Sequence, residues 1–168
     1  MKRLTTFFLS LTLGLLTSGL QAQKVATLTP VSLPTLTDLN GKRFDASGVA
    51  SHKATVFFYG STQCPISNIY TPRLVELATQ FGKQGVQFFF VDANREDSPT
   101  TLRAYLTKRN IAFPAIKDDS LALANLLSAT HTPQVVVLDS AGLVRYRGNV
   151  DDNQDRTKRS EEHTSELQ

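Results

Sequence analysis

One cysteine stands among 168 residues. It is Cys64, within the stretch STQCPISNIYTP that runs from Ser61 to Pro72. A thiol reacts as its thiolate, and a free cysteine with a pKa of about 8.5 is mostly protonated at neutral pH. Cys64 falls where the apolar run ATVFFYG (54–60) gives way to a helix, and Pro65 suits the first helical position because its missing N–H costs nothing there. The unpaired N–H groups and dipole of a helix start favour an anion, so the position predicts a lowered thiol pKa. The bland alternative is a buried, inert cysteine acting as a small apolar residue. Against it, the neighbours Ser61, Thr62, Gln63, Ser67 and Asn68 are polar and able to donate to a thiolate. Ser61 and Thr62 are candidates to bond the sulfur or a substrate oxygen, and equally to satisfy turn backbone. His131 is a candidate to stabilise the thiolate or move a proton, or else an exposed loop residue. Tyr59 and Tyr70 read as packing residues, and Arg145 and Arg147, alternating on a strand, as solvated.

The elements that must position this thiol follow from periodicity and punctuation. Residues 23–34 are rich in Thr, Pro and Val and read as extended. LPTLTDLNGKRFD reads as a β-hairpin, because Asn40-Gly41 suits a tight turn that needs positive φ. ATVFFYG is a continuous apolar run of buried-strand type. Leu74, Leu77, Ala78 and Phe81 recur at helical spacing, and Gly82 ends that helix. VQFFFVDAN predicts a second buried strand, and SPTTLRAYLTKRN a helix with Ser98 as N-cap and Pro99 at its first position. FPAIKDDS reads as a connection, LALANLL as a short helix, and QVVVLD and LVRYRG as two strands joined by the turn Ser140-Ala141-Gly142. Strand–helix–strand order implies a parallel sheet with right-handed crossovers, to which the closing β-turn-β adds an antiparallel edge. The class is α/β, a central mixed sheet flanked by helices, with no repeat and no second domain.

The chain ends carry different signals. Lys2 and Arg3 precede the uncharged apolar run LTTFFLSLTLGLLTSGL, and Ala22 precedes the polar Gln23 and Lys24. That order predicts a secretory signal peptide over residues 1–22; a membrane anchor would need about 20 mainly apolar residues without such interruptions. RSEEHTSELQ (159–168) has no apolar periodicity and reads as the in-frame translation of a sequencing adapter, so it is set aside as non-native. One domain is expected over residues 23–158, cut short at its C-terminus. The net charge of +3 is scattered rather than striped, which does not indicate a nucleic-acid partner. A single cysteine in an oxidising compartment makes no internal disulfide, and so is a reactive thiol or one whose partner is missing.

The order of elements, with CP after the first buried strand and TP before the third, resembles the thioredoxin superfamily. Its closest likeness is the redoxin branch, the alkyl hydroperoxide reductase/thiol-specific antioxidant type. LPTLTDLNGKRF, VFFYGSTQCPISNIYTPRL, FFFVDAN, HTPQVVVLD and GLVRYRGNVDDN carry the resemblance, which spans about residues 33–153 and looks like a secreted bacterial subgroup. The resemblance implies that Cys64 is the nucleophile and that Pro72 is the proline within the first long helix. It also implies that Thr132-Pro133 forms a cis-proline loop which, with Pro65, offers a surface to substrate. Three residues depart from the pattern: Ser67 replaces the second cysteine, Phe57 replaces the proline of the peroxidase signature, and tryptophan is missing. Copper-carrying relatives use two cysteines and a histidine, for which Asn68 is a poor substitute, so neither metal nor cofactor is expected.

The expected function is an exported, secreted or periplasmic thiol oxidoreductase, with Cys64, Ser61 and Thr62 as catalytic candidates. Thr132, Pro133 and Pro65 are the substrate-binding candidates, and His131 a modulator. The expected partners are a peroxide or disulfide substrate and an external thiol reductant, with no membrane contact after signal cleavage. The rival expectation is a non-catalytic thioredoxin-like binding module with one unpaired thiol. A third is that the shortened chain forms no stable protein, because it would lack the last helix that the resemblance implies and leave an apolar sheet face open.

Overall fold

The computed structural model describes residues 29–150. In chain order the elements are β1 (Leu36–Thr37), β2 (Arg43–Phe44), α1 (Ala46–Ala50), β3 (Ala54–Gly60), α2 (Pro65–Gly82) and β4 (Val86–Asp92). They continue with α3 (Pro99–Lys108), β5 (Ala115–Lys117), α4 (Ala122–Leu126), β6 (Gln134–Asp139) and β7 (Val144–Gly148). Five strands form one mixed sheet in the order β5-β4-β3-β6-β7. β3 lies in its middle, parallel to β4 and antiparallel to β6. β5 extends the parallel side and β7 the antiparallel side.

The central strands are continuously apolar because both of their faces are covered. On one face Phe57, Phe89, Val91, Val136 and Leu138 pack with Leu33, Leu36, Val49, Leu123 and Leu127. Phe57 stacks on Phe89 at 5.3 Å, and Phe44 of the hairpin meets Phe89 edge-on at 4.9 Å. On the other face Phe58, Phe88 and Phe90 pack against Leu74 of α2 and Leu102 and Tyr105 of α3. Each such side chain, fully buried, stabilises the fold by about 1.5–3 kcal/mol relative to exposure. That same face is more open over β6 and β7, where Val135 and Val137 are half-buried and Tyr146 is exposed.

Local chemistry explains the element ends. Gly41 adopts φ +82° in the hairpin turn, where Asp38 Oδ1 accepts the N–H groups of Asn40 and Lys42 at 2.8 Å each. Ser98 caps α3 by accepting the N–H of Thr101 at 3.0 Å, with Pro99 in the first turn. α2 continues through Pro72, whose missing N–H leaves one helical carbonyl without its usual donor.

The expected hairpin, strands and three helices (α2, α3 and α4) are present, and two elements were not expected. The segment read as a connection, FPAIKDDS, contains β5, which pairs with Phe90–Asp92. Three residues are too short to show a period, and only the neighbouring strand makes them one. α1 forms at ASGVA because Asp45 accepts the Gly48 N–H at 2.7 Å; Ser and Gly inside it weakened any helical signal. The proposed signal peptide, the segment 159–168 and the place of a last helix all lie outside the described residues.

Gly60 ends β3 directly before the cysteine-bearing turn. A Cβ there would lie 2.6 Å from Phe90 Cζ and 2.8 Å from Phe58 Cε1, and both rings are fully buried. Gly60→Ala is therefore expected to destabilise the fold by about 1–3 kcal/mol. Urea unfolding would register it as a lower midpoint at unchanged m-value.

Candidate functional site

Cys64 is the N-cap of α2, with φ −78° and ψ 113°, and Pro65 begins the helix. Its thiol is half-buried and donates to the Thr132 carbonyl at 3.6 Å. The Thr132–Pro133 peptide bond is cis, and Pro133 is buried. Burial pushes the Cys64 thiol up, but the backbone N–H and hydroxyl of Ser67, the Thr132 side chain and the Ile66 N–H together hold it below its ordinary value. The neutral thiol forms no cap hydrogen bond with the helix. Ser67 Oγ, fully buried, has no partner in that state. Both features fit a helix start whose donors are kept for the anion.

A cavity of about 410 Å³ opens beside the sulfur. Cys64, Ser61 and Thr132 line one side, Leu121, Ala124 and Asn125 the α4 side, with Tyr59 and His131 also at its wall. Tyr59 is fully buried, and burial with Asp118 nearby pushes its phenol above the ordinary range. His131 is exposed; its ring nitrogens meet Thr130 Oγ1 at 3.1 Å and Asn149 Oδ1 at 3.2 Å. Pro65 is exposed beside the cysteine and Tyr70 half-buried on α2. The two arginines of β7 are exposed, Arg145 pairing with Asp139 at 2.6 Å and Arg147 donating to the Leu127 carbonyl at 2.8 Å.

The hydroxyls of Ser61 and Thr62 both donate to Asp97. Ser61 Oγ donates to Asp97 Oδ2 at 3.3 Å, Thr62 Oγ1 to Asp97 Oδ1, and the Thr62 N–H to Oδ2 at 3.1 Å. Asn94 Nδ2 joins the cluster, 3.2 Å from both Ser61 Oγ and Asp97 Oδ2. Beside Asp97, buried Asp92 accepts from the Asn94 N–H at 2.9 Å and from Lys117 Nζ at 3.1 Å. Burial and the neighbouring Asp97 carboxyl push Asp92 up to about 7, against the pull of Asn94 and Lys117. Burial acts on Asp97 in the same sense but is outweighed by the Thr62 hydroxyl, the Asp92 side chain and the Thr62 N–H, so Asp97 lies below its ordinary value.

A second group reaches the helix start from α3. Arg109 donates to Asn68 Oδ1 at 3.0 Å and lies 5.7 Å from the centre of the Tyr105 ring, whose hydroxyl meets Thr71 Oγ1 at 2.9 Å. The sequence reading singled out none of Asp97, Asn94, Asp92 and Arg109. The one available cue was an acidic residue directly before the N-cap Ser98, within a segment that otherwise reads as a loop.

The buried Asp92 gives a pH signature. Its folded pKa of about 7 exceeds the ordinary carboxylate value of 3.8, so the folded state holds the proton more tightly than the unfolded chain. Its contribution is then greatest below the unfolded value and falls as pH rises towards about 7. Asp92→Asn, which keeps the shape and cannot ionise, is expected to flatten that decline. Thermal melts of both proteins between the two pKa values check it, and parallel curves would refute it.

The Redoxin family model matches residues 20–164. An uncharacterized conserved protein of Geobacillus kaustophilus is similar in structure at 28% identity and TM-score 0.66, over 74% of this chain and 71% of that one. A hypothetical protein of Sinorhizobium meliloti matches at 22% identity and TM-score 0.70, over 79% and 76%. A secreted disulfide oxidoreductase of Mycobacterium tuberculosis, homologous to E. coli DsbE, shares the fold at 20% identity and TM-score 0.61, over 75% and 90%. No curated protein sequence matches the chain.

Proposed function

The chain belongs to the Redoxin family, and from that premise we propose that it is an exported thiol-dependent oxidoreductase with Cys64 as nucleophile. The observation that carries the reading is the seat of the sulfur. It caps α2 beside the cis Thr132–Pro133 bond, opens on a cavity, and has a thiol held below its ordinary pKa. Likeness in fold to a secreted disulfide oxidoreductase supports export and disulfide chemistry. Among the described residues no helix is long and apolar enough to cross a membrane. On this reading residues 1–22 direct export, 23–158 form the redox domain, and 159–168 are foreign to it.

With a disulfide substrate, the Cys64 thiolate attacks one sulfur, the S–S bond breaks, and the departing thiolate takes a proton. A mixed disulfide remains, and an external thiol releases it. With a peroxide, the thiolate attacks oxygen and the O–O bond breaks. Sulfur gives up two electrons and becomes a sulfenic acid, while the leaving oxygen takes a proton as water or alcohol. One external thiol then condenses with the sulfenic acid, releasing water, and a second frees Cys64 as a thiol and leaves as disulfide with the first. In both cases Thr132 and Pro133 present backbone to the incoming group, and Pro65, exposed beside the cysteine, adds to the docking surface. Ser61 and Thr62 support the turn that carries Cys64, and His131 modulates the cavity mouth.

Ser67 in place of a second cysteine favours a second reading, a thioredoxin-like module that binds a partner without turnover. The two differ at Cys64. The oxidoreductase is expected to show a thiolate titrating below about 8.5, with peroxide or disulfide turnover that falls to background in Cys64→Ser. Turnover unchanged by that substitution would sink the first reading, and an ordinary thiol without turnover would favour the second.

A further inference from the structure

Between β3 and α2 the chain passes through Ser61, Thr62 and Gln63, which belong to neither element. Within this turn the Cys64 N–H reaches the Ser61 carbonyl at only 3.4 Å. The turn is held instead from the loop after β4. Asp97 accepts from Ser61 Oγ, from both the N–H and hydroxyl of Thr62, and from Gln63 Nε2 at 3.5 Å. Only 1% of Asp97 is exposed, so these bonds work away from competing water. Hydrogen bonds to a charged group are the stronger kind, and a donor left behind when the acceptor goes carries its full desolvation cost.

We propose that Asp97 is a positioning residue for Cys64, fixing the turn so that the sulfur meets both the α2 donors and the cis-proline loop. The inference rests on the reading of Cys64 as a working thiol. Asp97 touches neither the sulfur's bonding partner Thr132 nor any residue of α2 in this network, and so acts through residues 61–63.

Asp92 completes the device. Its Oδ1 takes the bonds from Asn94 and Lys117, while its Oδ2 is buried with no hydrogen-bond partner, and the Asp97 carboxyl neighbours the Asp92 side chain. Two carboxylates in contact share one proton more readily than they share two charges. A proton on Asp92 Oδ2 satisfies that atom by donation and leaves Asp97 an acceptor for the turn. The groups facing the pair are Lys117 from β5, Asp119 paired with Lys117 at 2.8 Å, and Tyr105 from α3, whose phenol feels the Asp92 carboxyl.

The test is the pH profile of Cys64 alkylation by iodoacetamide in the full chain, for wild type, Asp97→Asn and Asp97→Glu. Asp97→Asn is expected to move the midpoint upward by about one unit, an about tenfold loss of thiolate at neutral pH. Asp97→Glu, which keeps the charge, is expected to recover part of that shift. A folded Asp97→Asn with the wild-type profile would overturn the proposal. If Asp97→Asn does not fold, Thr62→Val removes one donor and leaves the carboxylate, with Thr62→Ser as the hydroxyl-retaining control. An upward shift in Thr62→Val absent from Thr62→Ser supports the proposal, and no shift in either overturns it. Alkylation needs no turnover, so a wild-type protein inactive on peroxides and disulfides would defeat the proposed function while this profile still decided the role of Asp97.

Discussion

The double-sided burial of β3 is the constraint on which the rest depends. Phe57 and Tyr59 face one core, and Phe58 faces the other, so the strand cannot slip by one residue without exchanging its faces. It ends at Gly60, where the rings of Phe58 and Phe90 occupy the space a side chain would need. The next residues leave the sheet at a defined point, and Cys64 begins α2 within one short turn. A thiol at this place is therefore aimed by aromatic packing far below it.

At the sulfur, two effects oppose each other. Partial burial favours the neutral thiol, while the donors of the first helical turn favour the anion, and the donors prevail. Ser67 illustrates how the departure from a two-cysteine pattern bears on this balance. Its hydroxyl is buried and unpartnered while the thiol is neutral. A buried hydroxyl without a partner is costly, and the cost is relieved when the thiolate forms. Ser67, standing where the resemblance implies a second cysteine, thus has a hydroxyl that favours the thiolate of Cys64.

The acidic side of the site obeys the same physics with the sign reversed. Asp97 is buried but surrounded by donors and stays ionised, whereas Asp92 has one oxygen without a donor and is driven towards its protonated form. Lys117, its own side chain largely buried, pairs with Asp92 and Asp119 and keeps the cluster from carrying unbalanced charge. Environment, rather than residue type, separates two aspartates five positions apart.

Much of this was legible in the residues alone. The apolar runs at 54–60 and 86–92, the Asn40-Gly41 turn, and the Ser98-Pro99 start of α3 declare themselves locally, because each depends on a short-range rule of burial or capping. Cys64 at a helix start was legible for the same reason, and Thr132-Pro133 through the family resemblance. β5 was not, since a three-residue strand exists only because β4 pairs with it. Nor was the Asp97 cluster, in which a loop after β4 grips a turn after β3. The sequence determined which residues are apolar, which cap and which can ionise. The parallel pairing of β3 with β4 brought the ends of those strands side by side, and only that tertiary contact decided which carboxylate holds the turn and which holds the proton.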